Sequence, residues 1–505
     1  MYQGNYLAQH LAAASIDRGE RIFAHLENGT DLSYADFFNG AQQYANLLIA
    51  LGVTPNDRVA VQVDKCIEVL QLYIGTVLAG GVFLPLNTAY TPSEISYFLE
   101  DAQPRVFICA DASAQLLKPV ADAAAVNVLE TLNADGSGSF ATLAQIQAVA
   151  FEAVPRSADD LAAILYTSGT TGRSKGAMLS HRNLWSNSST LRDTWHFTPQ
   201  DKLIHALPIF HTHGLFVAIN VTLATGSSLI FMQGFNIDDI ITAMPKATVL
   251  MGVPTFYVRL LKHTQIEADF VKKMRLFISG SAPLLAETHQ SWSKATGHDI
   301  LERYGMTETN MNTSNPYHAQ RCPGTVGLPL PGVEVRVCDA QTQQLLAPNS
   351  IGSIEVRGPN VFSGYWNMPD KTKQELRDNG FFITGDLGII DDKGYISIIG
   401  RSKDLIITGG YNVYPKEIEI LIDDIAGVLE SAVIGLAHAD FGESVCAVIV
   451  RQGDNAISAD DIKHTLSGHL AKYKQPKQIF FVDELPRNAM GKVQKNSLRE
   501  SFDKQ

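Results

Sequence analysis

The chain has 505 residues, of which 45% are hydrophobic and 18% are charged, so it is a globular protein long enough for more than one core. Its 40 Lys and Arg residues and 52 Asp and Glu residues give a formal net charge of −12 at pH 7. This acidic balance argues against nonspecific binding to nucleic acid, which depends on cationic neutralisation of phosphates.

The N-terminal third alternates between helix and strand patterns. Residues 33–52 carry a helical apolar period that begins with Ser33 as N-cap and stops at Gly52. A strand pattern follows at 57–63, and a second helical pattern occupies 93–104. The alternation predicts an α/β domain built in layers.

The middle of the chain continues this texture. Short apolar runs at 248–253 and 275–281 predict buried strands. Between them, "GVPTFYVRLLKH", residues 252–263, predicts a strand end followed by a helix with Thr255 as its N-cap.

The C-terminal part has a different pattern. From about residue 330, alternating strands with glycine turns predict an antiparallel β subdomain, and a smaller patterned unit begins near residue 415. The polar, Gly-flanked stretch 401–404 separates them and predicts a hinge. The expected domains are therefore residues 1–402 and 403–505.

The cysteines and the N-terminus bear on the compartment. Five cysteines lie far apart without a CxxC pair, which indicates a reducing compartment and neither a disulfide framework nor a zinc site. No charged residue precedes Asp17, unlike a secretion signal or a transit peptide. The longest apolar stretch, residues 73–86, is too short to span a bilayer. We expect a cytoplasmic protein without a membrane partner.

Two segments have the chemistry to bind anions. In "YTSGTTGRSKG", residues 166–176, glycines admit backbone N–H groups, hydroxyls add donors and Lys175 adds positive charge. It lacks the Gly-Lys pair of a P-loop, so a phosphate loop and an ordinary loop both remain open. Residues 463–499 carry eight Lys or Arg and only two acidic residues, which predicts an anion-binding segment or a solvated basic face.

With four further motifs, this loop resembles the signature of the adenylate-forming superfamily of acyl-CoA synthetases, luciferases and peptide-synthetase adenylation domains. The others follow in the family's order: "RYGMTE" at 303–308, "TGD" at 384–386, "GRSKDLIITGG" at 400–410 and "PRNAMGKVQK" at 486–495. The resemblance implies an α/β fold, with a large layered N-terminal domain of α/β subdomains plus a β-barrel-like subdomain, and a small mobile α+β C-terminal domain. It also implies an acid–thiol ligase, an AMP-forming acyl-CoA synthetase, that uses ATP, Mg²⁺ and CoA.

In that family a carboxylate attacks the α-phosphorus of ATP, and a thiol then displaces AMP from the acyl-adenylate. Attack of one anion on another needs charge neutralised where it develops. The resemblance implies three catalytic residues: Thr307 on the α-phosphate, Glu308 on Mg²⁺, and Lys492 between the carboxylate and the α-phosphate. The implied ATP-binding residues are Thr167, Ser168, Gly169, Thr170, Thr171, Gly172, Lys175, Ala282, Pro283, Tyr304, Asp386 and Arg401.

The family pattern also implies a rotation of the small domain. Lys403 and Asp404 match the hinge, about which the domain first presents Lys492 and then Gly409 and Gly410. These glycines would line the CoA tunnel, where a side chain would obstruct the thiol. Without its motif, Lys492 would be an ordinary surface lysine.

Two histidines stand in "PIFHTHG", residues 208–214. As a zinc pair they would need a third ligand, and none stands close in sequence, so a metal site is disfavoured. The resemblance implies that His211 borders the acyl pocket as part of the substrate site, and we expect His213 to be structural.

The acid is predicted from Arg259, in a segment that lines the acyl pocket in the family. A solvent-facing helical arginine is the simpler alternative, but an arginine buried there would be costly unless the substrate pairs with it. The sequence around Arg259 resembles that of the malonyl-CoA synthetases. This resemblance implies that Arg259 and Ser281 hold the distal carboxylate. Malonate is the expected acid, methylmalonate stays open as a second, and Arg259→Leu is expected to abolish malonate use and spare ATP binding.

Three alternatives remain open: a ligase for acetate, propionate or oxalate, an adenylation enzyme that loads a carrier protein, and a non-catalytic nucleotide sensor. The intact catalytic set disfavours the sensor. The expected partners are the small molecules malonate, ATP and CoA, with no nucleic acid. A protein lysine acyltransferase is a further candidate partner, because acylation of Lys492 would remove its charge and block adenylation.

Overall fold

The computed structural model describes residues 2–167, 174–408, 411–438, 441–453, 457–488 and 491–503. The chain divides into two compact units. The large unit comprises Met1–Gly280, Leu284–Glu334 and Val356–Phe382, and the small unit comprises Ser281–Pro283, Val335–Glu355 and Ile383–Gln505. The domain boundary at residue 402 stays a prediction. Among the helices of these ranges, none has both the length and the apolar character needed to cross a bilayer.

The N-terminal part of the large unit is layered, as the alternating pattern predicts. Its elements are α1 (Tyr6–Ala12), β1 (Ile22–Leu26), β2 (Asp31–Ser33), α2 (Tyr34–Ala50), β3 (Arg58–Gln62), α3 (Ile67–Leu78), β4 (Val82–Pro85), α4 (Pro92–Ala102), β5 (Val106–Cys109), α5 (Asp111–Ala123), β6 (Val128–Thr131), α6 (Ser139–Gln145), β7 (Leu161–Thr167) and β8 (Lys175–Ser180). Six strands form a sheet in the order β6-β5-β3-β4-β7-β8, parallel except for the antiparallel pair β7–β8.

The first predicted helix is α2. The Ser33 hydroxyl caps it by accepting a hydrogen bond from the Asp36 N–H, and the helix ends just before Gly52, whose φ is 83°. Phe37, Ala41 and Leu48 lie on its buried face, which follows the helical period.

The rest of the large unit builds a second sheet. Its elements are α7 (His181–Thr194), β9 (Lys202–His205), a π-helix (His213–Ile219), α8 (Asn220–Thr225), β10 (Ser228–Phe231), α9 (Ile237–Ala243), β11 (Val249–Gly252), α10 (Pro254–Leu260), β12 (Leu276–Ser279), α11 (Ala286–Thr296), β13 (Leu301–Met306), β14 (Asn310–Ser314), β15 (Leu328–Pro329) and α12 (Pro369–Glu375). The order is β15-β14-β13-β12-β11-β9-β10-β1-β2. The strands from β13 to β1 pair in parallel, and β2, β14 and β15 pair antiparallel at the edges.

The expected buried strands are β11 and β12, and all their residues are buried. The Thr255 cap is wrong: α10 begins at Pro254 with Val253 as N-cap. Proline is favoured at the first helical position, because its φ is already helical and its missing N–H would have no partner there.

The small unit, with the strand ends that continue from the large unit, holds two further sheets. Its elements are β16 (Glu334–Cys338), β17 (Gly352–Arg357), β18 (Phe382–Ile390), β19 (Ile396–Arg401), β20 (Ile406–Thr408), β21 (Tyr411–Val413), α13 (Pro415–Asp423), β22 (Val428–His438), β23 (Gly442–Arg451), α14 (Ala459–Ser467), β24 (Gln478–Val482) and α15 (Lys495–Phe502). One sheet has the order β16-β17-β18-β19, and the other has the order β21-β20-β23-β22 with β24 parallel to β23. Short 3₁₀ turns lie at Ala13–Ser15, Met244–Lys246 and Ser402–Asp404.

Candidate active site

The predicted phosphate loop lies between β7 and β8 in the sequence. The antiparallel register pairs Thr167 with Lys175, so these two residues flank the loop at its base. Five of its predicted phosphate-binding residues lie outside the described residues: Ser168, Gly169, Thr170, Thr171 and Gly172. On the β8 side, the Ser174 carbonyl accepts a hydrogen bond of 2.7 Å from the Tyr97 hydroxyl.

Lys175 is part of a partly buried charged group that we call the Tyr365 cluster (Lys175, Glu308, Tyr365, Lys371 and Glu375). Its side chain is 9% exposed, with Nζ 3.2 Å from Glu375 Oε2 and 4.0 Å from the Tyr365 ring centroid. Lys371 Nζ lies 2.8 Å from Glu375 Oε1. The Tyr365 hydroxyl lies 2.6 Å from Glu375 Oε2 and 3.0 Å from Glu308 Oε1.

The charges in this cluster support one another. Burial raises the pKa of Tyr365, and the charges of Glu308 and Glu375 raise it further, so the phenol keeps its proton. Burial opposes ionisation of Glu375, but hydrogen bonds from Lys371 and Tyr365 and the charge of Lys175 hold its pKa below the ordinary value. The cluster therefore holds an ionised Glu375 and a neutral phenol at neutral pH.

The "RYGMTE" motif occupies β13 and the turn to β14. A Cβ atom on Gly305 would lie 1.9 Å from the Asn310 carbonyl oxygen, so only glycine fits at this bulge. The turn buries the predicted Thr307 and Glu308, which are 8% and 5% exposed. Tyr304, predicted beside adenine, is half-buried on β13.

Arg303 of the same motif is a buried cation that the sequence interpretation missed. It is 2% exposed, and burial lowers its pKa to about 9, opposed by the nearby Tyr257. Within the described ranges, its Nε and Nη2 have no hydrogen-bond partner. A Cβ atom on Gly280 would lie 2.5 Å from Arg303 Cζ, so a side chain at this position would displace the guanidinium. Arg303 is still a cation at neutral pH.

The histidine segment belongs to the same electrostatic neighbourhood. His211 is half-buried, whereas His213 is 1% exposed at the start of the π-helix. Burial lowers the pKa of His213, and the charges of Arg303 and His211 lower it further. His213 is therefore neutral at neutral pH, beside the charged Arg303.

Arg259 has the solvent-facing position that is the simpler of its two alternatives. It lies on α10, is exposed, and its guanidinium carbon is 5.5 Å from the Phe235 ring centroid. On the last turn of α10, Tyr257 and Leu260 are buried and Arg259 is not, so Arg259 lies on the exposed face of this helix. Its assignment as a carboxylate ligand stays a prediction.

The small unit contains Ser281, a predicted ligand of the distal carboxylate, and the remaining predicted nucleotide residues. Ser281 is half-buried and has a φ of 73°, which is unusual for a residue with a side chain. Ala282 is half-buried and Pro283 is exposed. Asp386 and Arg401 stand opposite each other on β18 and β19, and Arg401 Nε lies 2.8 Å from Asp386 Oδ1. Asp386 is 4% exposed in this pair, so its carboxylate is held in a fixed position.

Lys492 is half-buried on a turn that Asn488 closes. The Asn488 N–H donates to the Lys492 carbonyl and the Lys492 N–H donates to Asn488 Oδ1, both at 3.0 Å. Lys403 and Asp404 of the predicted hinge lie in the 3₁₀ turn Ser402–Asp404, where Asp404 pairs with Arg499 at 2.7 Å. The predicted tunnel residues Gly409 and Gly410 lie outside the described residues.

Comparison with known proteins covers nearly the whole chain. The AMP-binding enzyme family matches residues 8–366, and the AMP-binding enzyme C-terminal domain matches residues 417–492. The crystal structure of ATP-bound MatB from Rhodopseudomonas palustris is 56% identical, covers 99% of each chain and has a TM-score of 0.97. Malonate–CoA ligase of Arabidopsis thaliana is 33% identical over 93% of this chain and 82% of its own length. A long-chain-fatty-acid–CoA ligase of Bacillus subtilis is 31% identical over 94% of this chain and 90% of its own.

Proposed function

Because this chain belongs to the AMP-binding enzyme family, we propose that it is a malonate–CoA ligase. It would convert ATP, malonate and CoA into malonyl-CoA, AMP and pyrophosphate through malonyl-AMP. Similarity to MatB and to a malonate–CoA ligase supports this assignment. The expectation of an acyl-CoA ligase with a large N-terminal and a small C-terminal domain agrees with the family and with these neighbours.

The observation that carries the choice of acid is the buried Arg303. A buried cation without a counter-charge is costly unless a bound anion pairs with it. The distal carboxylate of malonate supplies that anion, whereas a monocarboxylic acid leaves the guanidinium unpaired. Unpaired polar groups in a site can give about 10⁴-fold discrimination. We therefore add Arg303 to Arg259 and Ser281 as a ligand of the distal carboxylate.

In the first half-reaction, a carboxylate oxygen of malonate forms a bond to the α-phosphorus of ATP. The bond between the α-phosphorus and the oxygen that bridges the α- and β-phosphates breaks, and pyrophosphate leaves. Positioned donors and cations act where charge develops, and we assign this to the Thr307 hydroxyl and the Lys492 ammonium group. Asp386 would hold the ribose hydroxyls with Arg401 beside it.

Glu308 is the proposed Mg²⁺ ligand. Across the residues described, no group of three or more His, Cys, Asp or Glu side chains could hold a metal ion. Mg²⁺ is usually bound by one or two carboxylates together with substrate phosphates, so a single buried carboxylate fits it. When bound, the ion would neutralise charge on the phosphates.

In the second half-reaction, the CoA sulfur forms a bond to the acyl carbon, the carbon–oxygen bond to AMP breaks and the thiol proton goes to solvent. The small unit has a pocket of about 370 Å³ lined by Ala437, His438, Phe441, Ser444, Lys477 and Gln478. Phe441 offers an aromatic face and Lys477 a cation, which suit the adenine and phosphates of CoA. This supports CoA as the acceptor.

A panel of carboxylic acids in ATP–pyrophosphate exchange tests the proposal. We expect strong exchange with malonate and near-background exchange with propionate, with acetate, succinate and methylmalonate measured alongside. If propionate or acetate gives more exchange than malonate, the acid is wrong and a short-chain ligase is the better assignment. Thioester formation with free CoA distinguishes the ligase from an enzyme that loads a carrier protein.

Lys492 permits a separate test of the two half-reactions. Lys492→Met should lose exchange but retain attack of CoA on preformed malonyl-AMP. Acylation by a protein lysine acyltransferase, which we also propose, should have the same effect because it removes the same charge. Equal loss of both half-reactions would contradict this role. A cytoplasmic location remains part of the proposal.

A further inference from the structure

One phenol stands between two carboxylates in the Tyr365 cluster. The Tyr365 hydroxyl lies within hydrogen-bond distance of both Glu308 Oε1, at 3.0 Å, and Glu375 Oε2, at 2.6 Å. A phenol has one proton, so it donates to one carboxylate at a time. The position of this hydroxyl therefore affects both acidic side chains.

Glu375 is well provided with cations. Lys371 Nζ lies 2.8 Å from Glu375 Oε1, and Lys175 Nζ lies 3.2 Å from Glu375 Oε2. The Lys175 ammonium also lies over the face of the Tyr365 ring, at 4.0 Å from its centroid. Glu375 contacts the same phenol oxygen as Glu308, and the Lys175 ammonium covers a face of the ring, so both hold the phenol in place.

The Tyr365 ring is held rigidly by its neighbours. It is 2% exposed and packs edge-on against Phe362, with ring centroids 4.8 Å apart. Its backbone N–H donates to Thr372 Oγ1 at 2.9 Å. An isolated bridge joins Tyr365 to Ala177 of β8, the strand that begins at Lys175. These contacts fix the position of the hydroxyl and connect Tyr365 to β8, the strand that follows the predicted phosphate loop.

We propose that Tyr365 is a positioning residue for Glu308, and that Glu375 and Lys175 hold it in place. The inference rests on the proposed function, in which Glu308 is the Mg²⁺ ligand. Hydrogen bonds to a ligating carboxylate orient it, and losing such an outer partner typically weakens metal binding by about 10–100-fold. The cluster would thus connect the β8 end of the phosphate loop to the metal ligand.

The test uses Tyr365→Phe, which removes one oxygen and keeps the ring beneath Lys175. We expect direct Mn²⁺ binding in the presence of ATP, measured by electron paramagnetic resonance, to weaken about tenfold or more. The Mg²⁺ concentration for half-maximal exchange should rise in parallel, and kcat should recover at saturating Mg²⁺. Tyr34→Phe is the matched control, because its buried hydroxyl donates to the Ser227 carbonyl at 2.7 Å, with no carboxylate partner.

Three results would overturn the inference: unchanged Mn²⁺ binding in Tyr365→Phe, a kcat that stays low at saturating Mg²⁺, or an equal weakening in Tyr34→Phe. Should Tyr365→Phe fail to fold, Glu375→Gln provides the same metal readout, with a smaller weakening expected since the amide can still accept from the phenol. Absence of exchange with every acid in the wild-type protein would contradict the proposed function. Mn²⁺ binding would still decide the role of Tyr365.

Discussion

Two buried charged sites in the large unit are built in opposite ways. In the Tyr365 cluster, Glu375 has Lys175, Lys371 and a phenol as partners. Arg303 is buried more deeply, yet two of its nitrogens have no hydrogen-bond partner within the part of the chain described. A site that satisfies its own charges serves to hold other groups, whereas an unsatisfied cation indicates a ligand of opposite charge.

Arg275 is a second arginine of the large unit, and a carboxylate compensates the charge of its guanidinium. Arg275 Nε and Nη2 each lie 2.7 Å from an oxygen of Asp201, which is 3% exposed. Further donations reach the Trp195 and His196 carbonyls. The difference between Arg275 and Arg303 is therefore one of partners and not of burial alone.

The largest expected effect is that of Arg303→Met. Malonate-dependent exchange should fall by about 10³–10⁴-fold, because the distal carboxylate loses its buried partner. ATP binding, measured by calorimetry, should stay unchanged. The Tm of the ligand-free protein should not fall and is expected to rise, since an uncompensated buried charge has been removed.

Arg275→Met is the control, and its expected result is the reverse. It removes the cation from the buried Asp201, which keeps hydrogen bonds from the Thr198 N–H and the Thr248 hydroxyl, so it should cost about 3 kcal/mol of stability. Its remaining folded fraction should keep the preference for malonate over propionate. A loss of stability in Arg303→Met as large as that in Arg275→Met would contradict the contrast between the two arginines.

Lys175→Met tests the compensated site. Glu375 would keep Lys371 and the phenol but lose one cation, so we expect about 2–3 kcal/mol of destabilisation, less than for a fully buried pair. Chemical denaturation gives the free energy of unfolding directly. Lys118→Met, which removes an exposed partner of Asp122, is the matched control and should change stability by less than about 1 kcal/mol. Equal effects of the two variants would mean that the Tyr365 cluster is not a buried network.

Arg259→Leu compares an exposed arginine with the buried one. Because its guanidinium is exposed, we expect the loss of malonate-dependent exchange to be about 10–100-fold, the range for one hydrogen bond to a charged group. The KM for ATP should stay unchanged. A loss as complete as that of Arg303→Met would show that Arg259 is buried by the bound acid, and no loss would remove it from the site.

The two arginines also show how far the sequence can be interpreted. The ordered motifs indicated Thr307 and Glu308, and the alternation of helices and strands indicated a layered α/β domain. The burial of Arg303 depends on β13 lying between β12 and β14, a neighbourhood that one strand pattern cannot reveal. Two adjacent charged residues, Glu302 and Arg303, inside β13 were the available signal. The exposure of Arg259 depends on the short helix α10, which has too few turns for a periodic pattern to fix its buried face.

Tyr365 and Glu375 could not have been predicted from motifs. Tyr365 lies 57 residues from Glu308 in sequence and reaches it only through packing beside β8. By contrast, the pairing of Asp386 with Arg401 follows from two adjacent strands, and both residues belong to quoted motifs. Sequence motifs can predict a contact between two adjacent strands, such as that of Asp386 with Arg401, but not a long-range contact such as that of Tyr365 with Glu308.

The small unit also contains one buried carboxylate that is paired with a cation and a half-buried one whose hydrogen bond comes from a hydroxyl. Glu419 is paired with Lys495 at 2.5 Å, whereas Asp423 has the Ser431 hydroxyl at 2.7 Å. Burial raises the pKa of Asp423 to about 6, against the hydrogen bond from Ser431 that lowers it. In the unfolded chain this carboxyl has its ordinary pKa of 3.8.

Between these two pKa values the folded state binds a proton that the unfolded state does not, so raising the pH through this window removes stability. Asp423→Asn cannot ionise and lacks this dependence. We expect it to exceed the wild type in stability by about 1–2 kcal/mol at neutral pH, because solvent partly screens the half-buried carboxylate, and to match it near pH 4. Chemical denaturation of both proteins across this pH range measures the free energy of unfolding. Parallel pH profiles for the two proteins would mean that Asp423 is as well compensated as Glu419, and the contrast would then be confined to the large unit.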